Sequence, residues 1–303
     1  MTPEGVSYMT FGICGFLLNL IVAVTIARDK HMTNPTYKFM LNLAVSDAMA
    51  LTGIISPPIA AAVYGSQQNA PWRVMAVITY LGAVGAHCSQ IFMIFVSLSR
   101  WIHFAYQHKN EIIFSSKRLS AILAVIYVSV ILIYSPFVFD PNAMAPLPYG
   151  GYAFVTNSTY GKMLPYIDDT AELTSGVLQA GFNISSFVWI MKLRGLMADP
   201  ELRRIHIREV KLFAQCAIDG AIYSASIITA QICATTACDG AMIMAFLILS
   251  LMNFIDCALL YLCFNKGLRS SIYEFLRKLV CRNEVVPTQL GHSSAAGIPD
   301  RRT

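Results

Sequence analysis

The sequence predicts an all-α membrane protein: a seven-transmembrane helix bundle followed by a short interfacial eighth helix. Three observations predict it. Of 303 residues, 56% are hydrophobic and 13% are charged, about half the roughly 25% charged fraction of a soluble domain. Seven stretches reach the roughly 20 mostly apolar residues that a bilayer-crossing helix needs. The basic residues between them alternate in density from loop to loop. So little polar surface excludes a soluble enzyme and a wholly disordered chain. The eight cysteines stand singly with no CxxC pair, which points away from a zinc module or a disulfide-stapled scaffold.

The first span runs from about Val6 to Ala27 without a charge. It starts too early and runs too long for a cleaved signal peptide, and it lacks a basic n-region. The second, Phe39 to Val63, holds one charge, Asp47. The third, Val74 to Ser99, is closed by Arg100. The fourth runs from Leu119 to Phe139 and the fifth from Leu173 to Met191. The sixth, Leu212 to Thr235, contains Asp219, and the seventh, Gly240 to Phe264, contains Asp256. Beyond it Leu268, Ile272, Phe275, Leu276 and Leu279 share one helical face, with Lys266, Arg269, Arg277 and Lys278 around the rest. That pattern suits a helix lying in the membrane interface. Cys281 at its end is either a palmitoylation site or an ordinary buried cysteine. Residues 1–282 read as one membrane domain. Residues 283–303 read as a disordered cytoplasmic tail, polar and rich in Ser, Pro and Gly. No internal repeat is visible, which weakens a transporter built from duplicated halves.

Orientation follows from the cations. The loops after spans one, three and five, with the tail, hold 20 of the 22 Lys and Arg. Positive charge belongs on the cytoplasmic side, so the amino terminus is expected outside and the tail inside. The same distribution accounts for the net charge of +5 without a nucleic-acid partner. Asn157-Ser158-Thr159 is a glycosylation sequon in the loop this topology places outside, although such matches also arise by chance.

A carboxylate in a membrane helix is costly. Asp47 stands nine residues from Lys38, Asp219 eight from Lys211, Asp256 nine from Asn265 and Asn19 nine from Arg28. At about 1.5 Å per residue all four sit roughly 12–14 Å in from the cytoplasmic edge. Three acids at one depth are not expected all to ionise without a cation or a shared proton. One reading is a hydrated layer that shares water or sodium and rearranges with the helices. The other is three unrelated residues, each bonded to a neighbouring helix. Arg100, by position alone, reads as a topology anchor.

These motifs together resemble the rhodopsin-like G-protein-coupled receptors. Gly15-Phe16-Leu17-Leu18-Asn19 looks like the span-one motif, and Asn42-Leu43-Ala44-Val45-Ser46-Asp47 like the span-two motif. Ser99-Arg100-Trp101 stands where the family has an acid, an arginine and a tyrosine. Tyr261 through Arg269 resembles the end of span seven running into helix eight. The chain also departs from the pattern. Ser99 replaces the acid, Tyr127 stands near the span-four tryptophan, and Cys257-Ala258 replaces asparagine-proline. No proline occurs between Pro200 and Pro287, so spans six and seven are expected to lack the family's kinks. Met75 tops span three and residues 140–172 hold no cysteine, so the family's outer disulfide cannot form. Within the superfamily the chain is similar to the nematode serpentine chemoreceptors of class T or class X, on Ser99-Arg100-Trp101 and on Ile113 through Arg118.

The resemblance implies a chemosensory receptor for a small organic ligand, acting through a heterotrimeric G protein by helix rearrangement. It implies that Arg100 contacts the G protein and that Tyr261 swings inward on activation, unless Tyr261 is an interfacial aromatic. Asp47, Ser89 and Asn253 would hold sodium and water. The basic third inner loop would lie beside the G protein and anionic lipid. Gly82, Ala83 and Ala86 would line the ligand pocket, or else pack helices closely. His87, one residue deeper, is a packing residue or a ligand contact. Asp168, Asp169 and Glu172 are a solvated loop or an attractor of cationic ligands. Cys233 and Cys238 are close enough along the chain to bridge, although two separate thiols fit as well. No cofactor is expected, since span seven has no lysine for a retinal Schiff base. The six histidines form no metal box, and no GxSxG or GxGD motif occurs, so no enzyme is expected. A transporter or ion channel using Asp47, Asp219 and Asp256 is the rival reading.

Overall fold

The computed structural model describes residues 3–30, 32, 34–65, 71–106, 109–136, 144–146, 152–154, 159–194, 200–235 and 240–280. In chain order the helices are α1 (Pro3–Arg28), α2 (Pro35–Tyr64), α3 (Trp72–Tyr106), α4 (Lys109–Ile113), α5 (Ser116–Tyr134), α6 (Thr159–Arg194), α7 (Pro200–Thr235), α8 (Gly240–Asn253), α9 (Asp256–Phe264) and α10 (Lys266–Val280). Five of them, α1, α2, α3, α5 and α7, contain stretches long and apolar enough to cross a bilayer. The bent pair α8–α9 makes a sixth. The expected fifth span lies inside α6, where Gln179 and Asn183 dilute its apolar character. Both are turned onto α7: Gln179 Nε2 donates to Asp219 at 3.0 Å and Asn183 Nδ2 to the Cys216 carbonyl at 3.3 Å. The protein is a multi-pass α-helical membrane protein.

Local chemistry sets the element ends. Asn34 caps α2 by accepting from the Thr36 N–H at 3.0 Å, with Pro35 at the first helical position. Gly65 ends it at φ 75°, the left-handed conformation glycine adopts without a Cβ penalty. Inside α2, Pro57 has no N–H for the Gly53 carbonyl four residues back. Ser56 Oγ supplies a donor to that carbonyl at 3.0 Å, so the helix continues.

α2 packs on α3 along a seam of small residues. A Cβ on Gly82 would meet the Gly53 Cα at 2.6 Å, and one on Gly85 would meet the Ala50 nitrogen at 2.5 Å. At the amino end of α3 Met75 packs on Ala60. The main core lies toward the other end of the bundle, where α1 ends and α2 begins. There Phe39 stacks on Phe95 with centroids 5.2 Å apart and meets Phe114 edge-on, which holds the turn after α4 against α2 and α3. Tyr127 donates to Asn42 Oδ1 at 3.2 Å, tying α5 to α2.

Two features differ from expectation. The loop between spans four and five carries a hairpin, Met144–Pro146 paired antiparallel with Tyr152–Phe154; its connecting sequence holds Pro148, Gly150 and Gly151, all turn-formers. Span seven, expected to lack a kink, bends by 50° between α8 and α9. α10 lies back on α1, with Leu268 and Ile272 buried. Ser271 donates to Asp29 at 2.6 Å, and Arg28 sits 5.0 Å from the Phe275 ring centroid.

Candidate functional site

Six polar residues of the bundle form one buried layer. Asn19, Asp47, Ser89, Asp219, Asn253 and Asp256 are all buried. Asn19 Nδ2 donates to the Gly15 carbonyl at 3.1 Å and across the bundle to the Phe254 carbonyl at 2.7 Å. Around that point the backbone tightens, the N–H groups of Phe254 and Ile255 reaching the Leu251 and Met252 carbonyls three residues back. The Asp256 carboxylate accepts from the Cys257 N–H at 2.6 Å. A side chain inserted into the helical ladder is a recognised cause of a kink, so span seven bends without proline.

Ser89 donates to Asp47 at 2.5 Å, joining α2 to α3. Asp219 accepts from Gln179 at 3.0 Å and from the Cys257 thiol at 3.0 Å, joining α7 to α6 and α9. One atom each from Asp219, Asp256 and Cys257 lies within 4.8 Å of the other two. Folding thus assembles a set of metal-ligating side chains that sequence spacing does not announce. Cys257 and Gln179 are the members a reading of the sequence passes over. Arg100, buried near the carboxyl end of α3, lies within electrostatic reach of Asp219. Its neighbour Ser99 bonds Thr36 Oγ1 at 2.9 Å and Asn110 Oδ1 at 3.2 Å, joining α3 to α2 and α4. Tyr261 is buried rather than interfacial.

A second cluster sits near the start of α6, which begins much earlier than Leu173. Asp168, expected in a solvated loop, is therefore on a helix and mostly buried. His87 Nε2 lies 2.9 Å from Asp168 Oδ1. The Tyr134 hydroxyl reaches His87 at 2.5 Å and donates to Asp168 as well, and His87 Nδ1 faces the Ala83 carbonyl at 3.0 Å. Gln90 donates to Glu172 at 3.4 Å. His87, Gln90 and Tyr134 of this cluster line a cavity of about 690 Å³ between α3, α5 and α6, walled by apolar side chains such as Ile133 and Met163. Of the four expected pocket residues, His87 lines it. Gly82 faces Gly53 instead, and Ala83 and Ala86 pack among core side chains. Cys233 Sγ donates to the Met242 carbonyl at 4.0 Å. Cys238, Asn157, Cys281 and the tail 283–303 lie outside the described residues.

The family model for the 7 transmembrane receptor (rhodopsin family) matches residues 18–146. That stretch is similar to the rhodopsin-family receptors. It takes in Asn19, Asp47, Ser89, His87 and Arg100. Thyrotropin-releasing hormone receptors of Mus musculus and Homo sapiens are each 28% identical over 117 residues, which is 38% of this chain and 30% and 29% of theirs. The receptor of Gallus gallus is similar to the same extent. The chain therefore spans about three tenths of the length of the curated relatives it matches. These relatives are named as receptors.

Proposed function

We propose that this chain is a rhodopsin-like G-protein-coupled receptor of the plasma membrane, with its amino terminus outside and its tail in the cytoplasm. Binding of a ligand at the outer half favours one helix packing over another, and the inner ends then engage a heterotrimeric G protein. A ligand shifts such a balance only by its differential affinity for the two states. The observation that carries the reading is the buried polar layer. It links α1, α2, α3, α6, α7 and α9, in a chain whose first half is similar to the rhodopsin-family receptors. In this reading Arg100 contacts the G protein and Tyr261 moves with α9. Asp47, Ser89 and Asn253 form an oxygen site suited to sodium. Asn157 carries a glycan and Cys281 a palmitoyl chain. Residues 1–282 act as the receptor domain and 283–303 as a disordered tail.

The ligand we assign is a small organic molecule, and the role chemosensory, of the nematode serpentine kind of class T or X. Support comes from the outer cavity, whose volume of about 690 Å³ falls within the roughly 300–1,000 Å³ of small-molecule sites. His87, Gln90 and Tyr134 give it a polar lining, and Asp168 holds His87 from behind. A peptide ligand is the second reading, favoured by the names of the hormone-receptor relatives.

Purified full chain in lipid nanodiscs, mixed with heterotrimeric G protein, tests the central claim. A complex that dissociates on adding guanine nucleotide, and that Arg100→Ala abolishes, is the expected result. Ligand-evoked current through the protein alone in liposomes would instead establish the channel reading.

A further inference from the structure

We infer that Asp219, Asp256 and Cys257 form a binding site for a soft divalent cation of the zinc kind, stapling α7 to α9. The three residues are buried, and their ligand atoms lie within 4.8 Å of one another. Cys257 Sγ and Asp219 Oδ1 are 3.0 Å apart. In a tetrahedral zinc site, with Zn–S of about 2.3 Å and Zn–O of about 2.0 Å, that edge measures about 3.5 Å, so an opening of about 0.5 Å admits the ion.

A second observation points to a cation independently of the cluster. Asp256 Oδ2 has no hydrogen-bond donor among the described residues, and Asp256 is 2% exposed. Buried acceptor oxygens without donors call for positive charge. Formal charge sets its size. With its thiol deprotonated, Cys257 joins Asp219 and Asp256 to bring three negative charges to the site, and Arg100 is a positive charge in electrostatic reach of Asp219. The imbalance at the site is two, which one divalent ion offsets.

The thiol sets the kind of ion. Sodium and magnesium take oxygen ligands, whereas a thiolate selects zinc and its softer neighbours. Cys257 binds as the thiolate and releases its proton to solvent. This separates the site from the all-oxygen set of Asp47, Ser89 and Asn253. Gln179, which donates to the second oxygen of Asp219 at 3.0 Å, orients that carboxylate in the way that outer partners of metal ligands do.

The full chain in lipid nanodiscs is titrated with CoCl2, with ZnCl2 as competitor. The expected result is a near-ultraviolet thiolate-to-cobalt charge-transfer band that zinc abolishes. It is absent in Cys257→Ser and retained in Cys216→Ser and Cys263→Ser. Gln179→Leu weakens cobalt affinity roughly 10–100-fold. In a parallel melt, ZnCl2 raises the Tm of the wild type and leaves those of Cys257→Ser and Asp256→Asn unmoved, while MgCl2 and NaCl do not reproduce the rise. Retention of the band in Cys257→Ser, or its absence from the wild type, overturns the proposal. So does an equal zinc shift in wild type and Cys257→Ser. The readout needs no G protein, so it stands or falls apart from the receptor reading.

Discussion

At the scale of single residues, the α2–α3 seam turns on two glycines that face each other. A methyl group on Gly82 would lie 2.6 Å from the Gly53 Cα and 3.1 Å from its nitrogen. Backbone atoms cannot rotate aside, so the helices themselves must separate. Overpacking of this kind costs about 1–3 kcal/mol. Gly181 on α6 has nothing within 4 Å of the same position, and there alanine gains about 0.5–1 kcal/mol over glycine in a helix. Gly82→Ala is therefore expected to lower the Tm of the protein in nanodiscs, and Gly181→Ala to leave it unchanged or raise it. A Gly82→Ala variant that melts at or above the wild type would mean the seam is looser than these distances. Small residues on a membrane helix suit both a roomy pocket and a close crossing, because composition does not say what stands opposite. The same limit hid the partners of His87. Tyr134 and Asp168 lie 47 and 81 positions further along the chain, on helices whose rotation about their axes the sequence leaves open.

At the scale of elements, the bend in span seven has a donor that can be removed. The Phe254 carbonyl accepts from Asn19 at 2.7 Å, in a turn already tightened to three-residue bonds. Asn19→Ala leaves that buried carbonyl without its side-chain donor, at a cost of about 1–3 kcal/mol. Without the donor, the backbone is driven to recover its own ladder bond, which straightens the helix. Expected together are a lower Tm and a spin-label distance across α8–α9 that lengthens from the value set by the 50° bend. An unchanged distance would assign the bend to packing alone. Proline is the kink signal a sequence displays most openly, and its absence here predicted a straight span. Yet Asn19 and Asp256 were both legible as polar residues at one depth. What could not be read was that one of them would reach across to another helix's backbone. The fifth span shows a related limit. Its interior is polar because Gln179 and Asn183 serve α7, and a hydropathy window cannot distinguish polarity turned inward from polarity turned to lipid.

At the scale of the molecule, two unrelated features predict the same orientation. The cation split places 20 of the 22 Lys and Arg on one side, and near an anionic inner leaflet each is worth about 1 kcal/mol. Packing adds a constraint that charge does not supply. α10 is held to the carboxyl end of α1 by Ser271 with Asp29 and by Phe275 with Arg28. Arg269 Nη1 also donates to the last carbonyls of α9, reaching Cys263 at 2.5 Å. The chain leaving α10 is thus fixed to the membrane face where α1 ends. α1 is 26 residues long, about 39 Å at the helical rise, so its amino end emerges on the opposite face. Epitope tags at the two termini should then behave oppositely on cells expressing the protein. The amino-terminal tag is expected to stain on intact cells and the carboxyl-terminal tag only after permeabilisation. Staining of the carboxyl tag on intact cells would invert the bundle and move Arg100 to the outer face, away from any G protein. Staining of both on intact cells would require an even number of crossings. That would remove either α6 or the α8–α9 pair from the membrane, and with it one wall of the polar layer.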